Sequence, residues 1–117
     1  MLLWWLAADP ALSPVAREAI SDPETDVRVS AVSAWEISIK RALGKLEAPG
    51  DLEAMLERHG FVPLSIDVRH ALLAGELPRH HDDPFDRMLV AQAQLEDLTI
   101  VSRDERLSSY GVAIIQA

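Results

Sequence analysis

The sequence predicts an α/β domain built on parallel strands, and three observations carry that reading. Four short runs of near-continuous apolar residues, Val27–Ser30, Phe61–Ile66, Leu98–Ser102 and Val112–Ile115, have the pattern of strands covered on both faces. Segments of helical periodicity, opened by Ser or Asp and closed by Gly or Pro, separate those runs. No repeat, low-complexity tract or linker divides the 117 residues, so a single domain over 1–117 is expected. Helices alternating with strands place helices over both faces of a parallel sheet. The apolar content of 49% supplies a core, and a charged fraction of 26% is ordinary for a globular chain, which excludes disorder.

Taken in order, Leu2–Ala8 reads as a short helix stopped by Asp9-Pro10. Ser13-Pro14 opens the next, with serine as N-cap and proline at the first helical position, and it runs to about Ser21 before Pro23. Val27–Ser30 is the first strand. Ser33 begins a helix whose apolar stripe is Trp35, Ile39, Ala42 and Leu46, broken at Pro49-Gly50. Asp51 caps Leu52–His59, which ends at Gly60. Phe61–Ile66 is a strand, Asp67–Gly75 a helix and Leu77–Asp82 a polar loop. Asp83-Pro84 opens a long helix to about Glu96. Leu98–Ser102, a turn of helix at Glu105–Leu107 and Val112–Ile115 complete the chain. A doubly wound sheet usually opens on its central strand, whereas this chain opens on a helix, so an N-terminal central strand is missing from the pattern.

Composition narrows the function. With no cysteine, thiolate zinc sites, iron–sulfur clusters and thiol nucleophiles are excluded. The apolar opening Met1–Ala8 lacks a basic flank and is too short for a signal peptide or a membrane span, so the expectation is a soluble, cytoplasmic protein with no membrane partner. The formal charge of −8, from 19 acidic and 11 basic residues, argues against nucleic-acid binding through a broad basic face.

Three carboxylates stand among apolar neighbours. Glu36 lies in Ala34-Trp35-Glu36-Ile37-Ser38-Ile39, flanking the helical stripe. Ser33-x-x-Glu36 also matches a capping box, so a structural role and a functional one both stand. Asp86 lies in the first turn of the helix opened by Asp83-Pro84. The helix dipole accounts for an acid there, but Asp83 already serves as cap and leaves Asp86 spare. Asp104 follows the strand Leu98–Ser102, at the carboxyl end where open α/β sheets bind ligands. Capping the turn that follows is its alternative role. Acids brought together repel unless a cation joins them, and all-oxygen donors favour Mg²⁺ or Mn²⁺ over zinc. Such a centre activates water against a phosphodiester. His80-His81-Asp82-Asp83 contains ligand residue types, but consecutive residues rarely converge on one ion, and a loop before a helix cap accounts for the run. Trp4-Trp5 reads as core or interface, and Lys40, Arg41 and Lys45 as a solvated face.

Three segments together resemble the PIN domain, and more closely the VapC toxins of type II toxin–antitoxin systems: Val29-Ser30-Ala31-Val32-Ser33-Ala34-Trp35-Glu36-Ile37, Asp83-Pro84-Phe85-Asp86-Arg87-Met88-Leu89-Val90-Ala91-Gln92-Ala93, and Leu98-Thr99-Ile100-Val101-Ser102-Arg103-Asp104. Their order and spacing fit that family over nearly the whole chain. The resemblance implies a PIN-like doubly wound parallel sheet flanked by helices, Mg²⁺- or Mn²⁺-dependent endoribonuclease activity on RNA, and a cognate antitoxin. It places Glu36, Asp86 and Asp104 on the family's second, third and fourth acidic positions. Asp86 is then the main metal ligand, Glu36 a ligand or water-orienting group, and Asp104 the residue completing the pocket, with Ser102 as a supporting hydroxyl. The family's first strand and its aspartate should precede Leu2 and do not. Either the start is placed late, Met1 falling where the family often has valine, or the chain is truncated.

Two functions of different class follow: a ribonuclease toxin, or an inactive PIN-like domain that only binds antitoxin or itself. A homodimer suits the apolar Trp4-Trp5 surface. A phosphoacceptor receiver is set aside, because it needs adjacent acids at the first strand's end and a lysine after a late strand.

Overall fold

A computed structural model describes residues 12–45, 51–102 and 104–117. The expectations for Leu2–Ala8, Trp4-Trp5, Leu46, the Pro49-Gly50 break and the opening strand lie outside the described residues. The chain divides into two compact units, one formed by the stretch up to Thr25 with Asp67–Ala117, the other by Asp26–Ile66.

The smaller unit holds β1 (Arg28–Ser30), α2 (Ala31–Ala42), α3 (Leu52–Arg58) and β2 (Val62–Leu64). The larger unit begins with α1 (Pro14–Ser21), which therefore precedes them in the chain. It continues with α4 (Val68–Glu76), α5 (Pro84–Glu96), β3 (Ile100–Ser102), a 3₁₀ turn (Glu105–Tyr110) and β4 (Ile114–Gln116).

Every described strand pair is parallel, as expected. β1 pairs with β2 in the register Arg28–Val62, Val29–Pro63, Ser30–Leu64. β3 pairs with β4 as Ile100–Ile114, Val101–Ile115, Ser102–Gln116. Among the described residues the pairing forms two two-stranded sheets, where the sequence suggested one continuous sheet.

One helix start needs correction. α2 begins at Ala31, not at Ser33, because Ser30 leaves β1 in extended conformation and its Oγ accepts the Val32 N–H at 3.1 Å. Ser33 is then inside the helix, and the expected Ser33–Glu36 capping box gives way to an ion pair of Glu36 with Lys40 at 3.1 Å. The buried position of this helix is Val32, while Trp35, the first residue of the expected stripe, is 59% exposed.

In the larger unit the core joins α4, α5, β3 and the 3₁₀ turn through Ala74, Leu77, Val90, Ala91, Ala93, Ile100, Leu107 and Tyr110. Burying a side chain such as Val90 or Leu107 contributes about 1.5–3 kcal/mol, so these contacts hold α5 in the core of this unit. A second cluster packs Leu12 and Ala16 against Ala117, with Val101 and Ile115 beside them. Ser13 caps α1 as expected, accepting the Ala16 N–H, and its Oγ donates to the Gln116 carbonyl at 2.6 Å.

α4 opens on a reciprocal cap: Asp67 Oδ1 accepts the His70 N–H, and His70 Nδ1 accepts the Asp67 N–H, both at 3.0 Å. The first of these bonds holds the Asp67 carboxyl below the usual carboxylate range. At the far end of α4, Arg87 of α5 gathers the open carbonyls, donating to Ala74 at 2.9 Å and Leu77 at 2.8 Å. The same guanidinium reaches the Pro78 and His81 carbonyls, each at 3.2 Å. Arg87 thereby pins the loop that carries His81 onto α5. No helix among the described residues is long and apolar enough to cross a membrane.

Candidate metal centre

Three segments of the larger unit deliver one side chain each to a single point. α5 delivers Asp86. Its N-cap is Asp83, whose Oδ1 accepts the Phe85 N–H at 2.9 Å, with Pro84 at the first helical position. Asp86 in the first turn is therefore not needed as a cap, as the sequence indicated. Asp104 stands just beyond β3, and Ser102 Oγ accepts its N–H at 3.0 Å. The loop before α5 delivers His81.

The His81 ring is buried, the residue being 7% exposed. Its Nε2 lies 2.7 Å from Asp104 Oδ2 and 3.0 Å from Asp86 Oδ2. Ligand atoms of these three residues all lie within 4.8 Å of one another. Two further bonds seat the loop: the His81 N–H donates to Tyr110 Oη at 3.0 Å, and Tyr110 Oη donates to the Pro78 carbonyl at 2.7 Å.

Asp104 is also held by Arg106. Its Oδ1 accepts the Arg106 N–H at 3.0 Å and Nε at 2.9 Å, while Oδ2 accepts Nη2 at 2.7 Å. Asp104 thus takes the capping role weighed for it and also lies beside His81 and Asp86. The Arg106 fork is the main reason its carboxyl sits far below the ordinary carboxylate range, and the backbone N–H of Arg106 and the His81 ring act in the same direction. Asp104 in turn raises the pKa of Arg106.

The donor chemistry fits a divalent cation. Two carboxylates turned toward one nitrogen form a hard, anionic pair of the kind Mg²⁺ and Mn²⁺ take. An ionised carboxylate has about four lone-pair positions. Those of Asp104 meet four donors: the Arg106 N–H, Nε and Nη2, and His81 Nε2. The Arg106 side chain is 66% exposed, so its fork is the contact on Asp104 that water replaces at least cost.

The His80–Asp83 run divides, and its members do different work. His80 packs edge-on against the Tyr110 ring at 5.1 Å, exposed Asp82 lies 3.9 Å from Arg79, and Asp83 caps α5. Only His81 reaches the carboxylates. Reading the run as one unit hid this, because the loop turns successive side chains in different directions. Glu36 lies on α2 in the smaller unit, paired with Lys40. In a second group of ligand residue types, Asp67, His70 and Glu96, the first two form the α4 cap. There the His70 Nδ1 accepts a backbone N–H and its Nε2 faces Glu96 Oε1 at 2.9 Å, a complete structural network.

The family model described as PIN domain matches residues 1–113, nearly the whole chain. The chain belongs to the PIN domain family. No curated protein and no solved structure matches it. PIN domains are generally nucleases that use divalent metal ions, and PIN domain nucleases bind RNA. The matched region of this PIN domain spans both compact units and includes Glu36, Asp86 and Asp104.

Proposed function

We propose that this PIN domain is a Mg²⁺- or Mn²⁺-dependent endoribonuclease, the toxin of a type II toxin–antitoxin pair of the VapC kind. The observation that carries the nuclease reading is the approach of Asp86 and Asp104 Oδ2 to one point at the end of β3. Asp86 and Asp104 would hold the cation, which supplies activation of water and neutralisation of charge at the phosphodiester. Glu36, on the motif resemblance, would hold the metal or orient the attacking water. Ser102 fixes the backbone of Asp104 and so its direction. The units Asp26–Ile66 and its complement belong, in this reading, to one PIN-like domain that acts in the cytoplasm.

The antitoxin assignment rests on the VapC-like motifs, together with charge. An acidic centre in a chain of net charge −8 suits an arginine-bearing antitoxin segment, since guanidinium and carboxylate pair bidentately. Self-association as a homodimer belongs to the same reading.

One observation favours the second reading, an inactive PIN-like domain that only binds antitoxin or itself: the lone pairs of Asp104 are already met by Arg106 and His81. Cleavage of structured RNA in Mn²⁺, with a chelator control and Asp86→Asn alongside, separates the two. The expected result is chelator-sensitive cleavage that falls in Asp86→Asn by about 100-fold or more, the scale for losing a group that stabilises transition-state charge. Cleavage that survives both the chelator and the substitution overturns the nuclease reading. No cleavage at all favours the inactive domain.

A further inference from the structure

We infer that His81 is a positioning residue of the metal centre: it holds Asp86 and Asp104 together as a hydrogen-bond donor and does not itself ligate the metal. This rests on the nuclease reading above and assigns a residue that reading leaves without a role.

The direction of the ring decides it. The Asp83 backbone N–H donates to His81 Nδ1 at 3.2 Å, so Nδ1 presents its lone pair there and the ring proton is on Nε2. That proton is directed at Asp104 Oδ2, 2.7 Å from Nε2, and Asp86 Oδ2 lies 3.0 Å from the same nitrogen. For Nε2 to bind a cation, the proton would have to move to Nδ1, against the Asp83 N–H. Asp83 is not free to turn away, because it is the N-cap of α5 and precedes Pro84. The cap that starts the helix therefore also sets the tautomer of the histidine.

The ring cannot readily leave. The His81 N–H is bonded to Tyr110 Oη, and the His81 carbonyl accepts from Arg87 at 3.2 Å. Asp86 and Asp104 come from different elements, and two carboxylates at this distance repel. The Nε2–H bond to Asp104, with Asp86 Oδ2 3.0 Å from the same nitrogen, offsets that repulsion and keeps the two Oδ2 atoms directed at the same place. Partners that orient ligating carboxylates typically alter metal affinity by about 10–100-fold when removed.

The experiment uses the full chain, His81→Leu and His81→Gln, with thermal unfolding to establish that each variant folds. Glutamine retains an N–H donor close to where Nε2 stands, while leucine removes it at similar bulk. Mn²⁺ titration followed by electron paramagnetic resonance should show affinity falling by about 10-fold or more in His81→Leu and largely restored in His81→Gln. Spin-echo spectra of the wild-type Mn²⁺ complex should lack the modulation of a directly coordinated imidazole nitrogen. Nitrogen NMR of the metal-free chain should show the His81 proton on Nε2. A coordinated imidazole, a proton on Nδ1, or equal Mn²⁺ affinity in all three chains overturns the assignment. Should the wild type bind no Mn²⁺, the nuclease reading fails, and the NMR result alone decides whether His81 holds the carboxylates as described.

Discussion

Asp104 shows how one side chain meets a local and a long-range demand at once. Its Oδ1 caps the 3₁₀ turn through the Arg106 N–H, while its Oδ2 reaches His81 across a separation of 23 residues. Geometry makes the two contacts compatible because a carboxylate has two oxygens to divide. His81 was hidden for the opposite reason: its neighbours have ligand chemistry too, and only the path of the loop separates them. The Asp104 environment has a consequence for acid stability. Arg106, above all, holds its folded pKa well below the value of about 3.9 expected in the unfolded chain. Between those two values the unfolded chain binds a proton that the folded chain does not, so stability falls as pH falls. The contribution is complete above the unfolded pKa and is lost as pH drops through the folded one. Asp104→Asn has no such titration. Urea midpoints taken from about pH 2.5 to about pH 6 should therefore decline less steeply for Asp104→Asn than for wild type. Parallel declines would show that Asp104 does not keep its charge through the Arg106 pairing.

At the scale of elements, Arg87 connects two helices and a loop that the sequence describes separately. The carbonyls at the end of α4 have no partner within their own helix. Arg87 supplies those partners at Ala74 and Leu77, then continues to Pro78 and His81. Arg87→Met keeps much of the apolar stem and removes every donor. It is expected to lower unfolding stability by about 2–4 kcal/mol, the range for losing hydrogen bonds to a charged group with their acceptors half-buried. Arg87→Lys should recover only part, since an ammonium lacks the planar fork. Urea denaturation measures both, and a loss under about 0.5 kcal/mol for Arg87→Met would show that water serves those carbonyls equally well. The helices themselves were legible, because caps and breakers act within a few residues: Ser13-Pro14, Asp51, Asp67 and Asp83 all begin helices as the sequence indicated. Strand limits were less so. The runs Phe61–Ile66 and Leu98–Ser102 contract to Val62–Leu64 and Ile100–Ser102, since pairing, not apolarity, decides where a strand stops. The start of α2 was misplaced because Ser30 and Ser33 are equally good caps by residue type, and only the exit conformation of β1 chooses between them. The Arg87 network was illegible, since nothing local in Phe85-Asp86-Arg87-Met88 points to carbonyls at the end of another helix.

For the whole molecule, charge decides how RNA can be held. A chain of net charge −8 has few cations to place on phosphates, and much of its basic set is already engaged. Arg28, Lys40, Arg69, Arg79 and Arg106 each lie within pairing distance of an acid, and Arg87 is turned onto carbonyls. Affinity built on displaced counterions requires basic side chains facing the backbone, whereas a cation held by Asp86 and Asp104, as proposed, would present local positive charge in their place. The proposed ribonuclease should consequently bind a non-cleavable single-stranded RNA weakly in chelator and more tightly in Mn²⁺. Its dependence on salt should be shallow, with a slope of log affinity against log salt between zero and about −2, which corresponds to neutralising about three phosphates or fewer. Titration by fluorescence anisotropy at several salt concentrations reads both quantities. A steep slope without metal would mean that RNA meets a basic surface instead of the acidic centre. A shallow slope that Asp86→Asn leaves unchanged, with the Mn²⁺ enhancement also unchanged, would place the cation elsewhere. An arginine-bearing antitoxin of the kind proposed should behave in the reverse sense: its binding would be favoured by the same negative charge that opposes RNA, and would weaken as salt screens it.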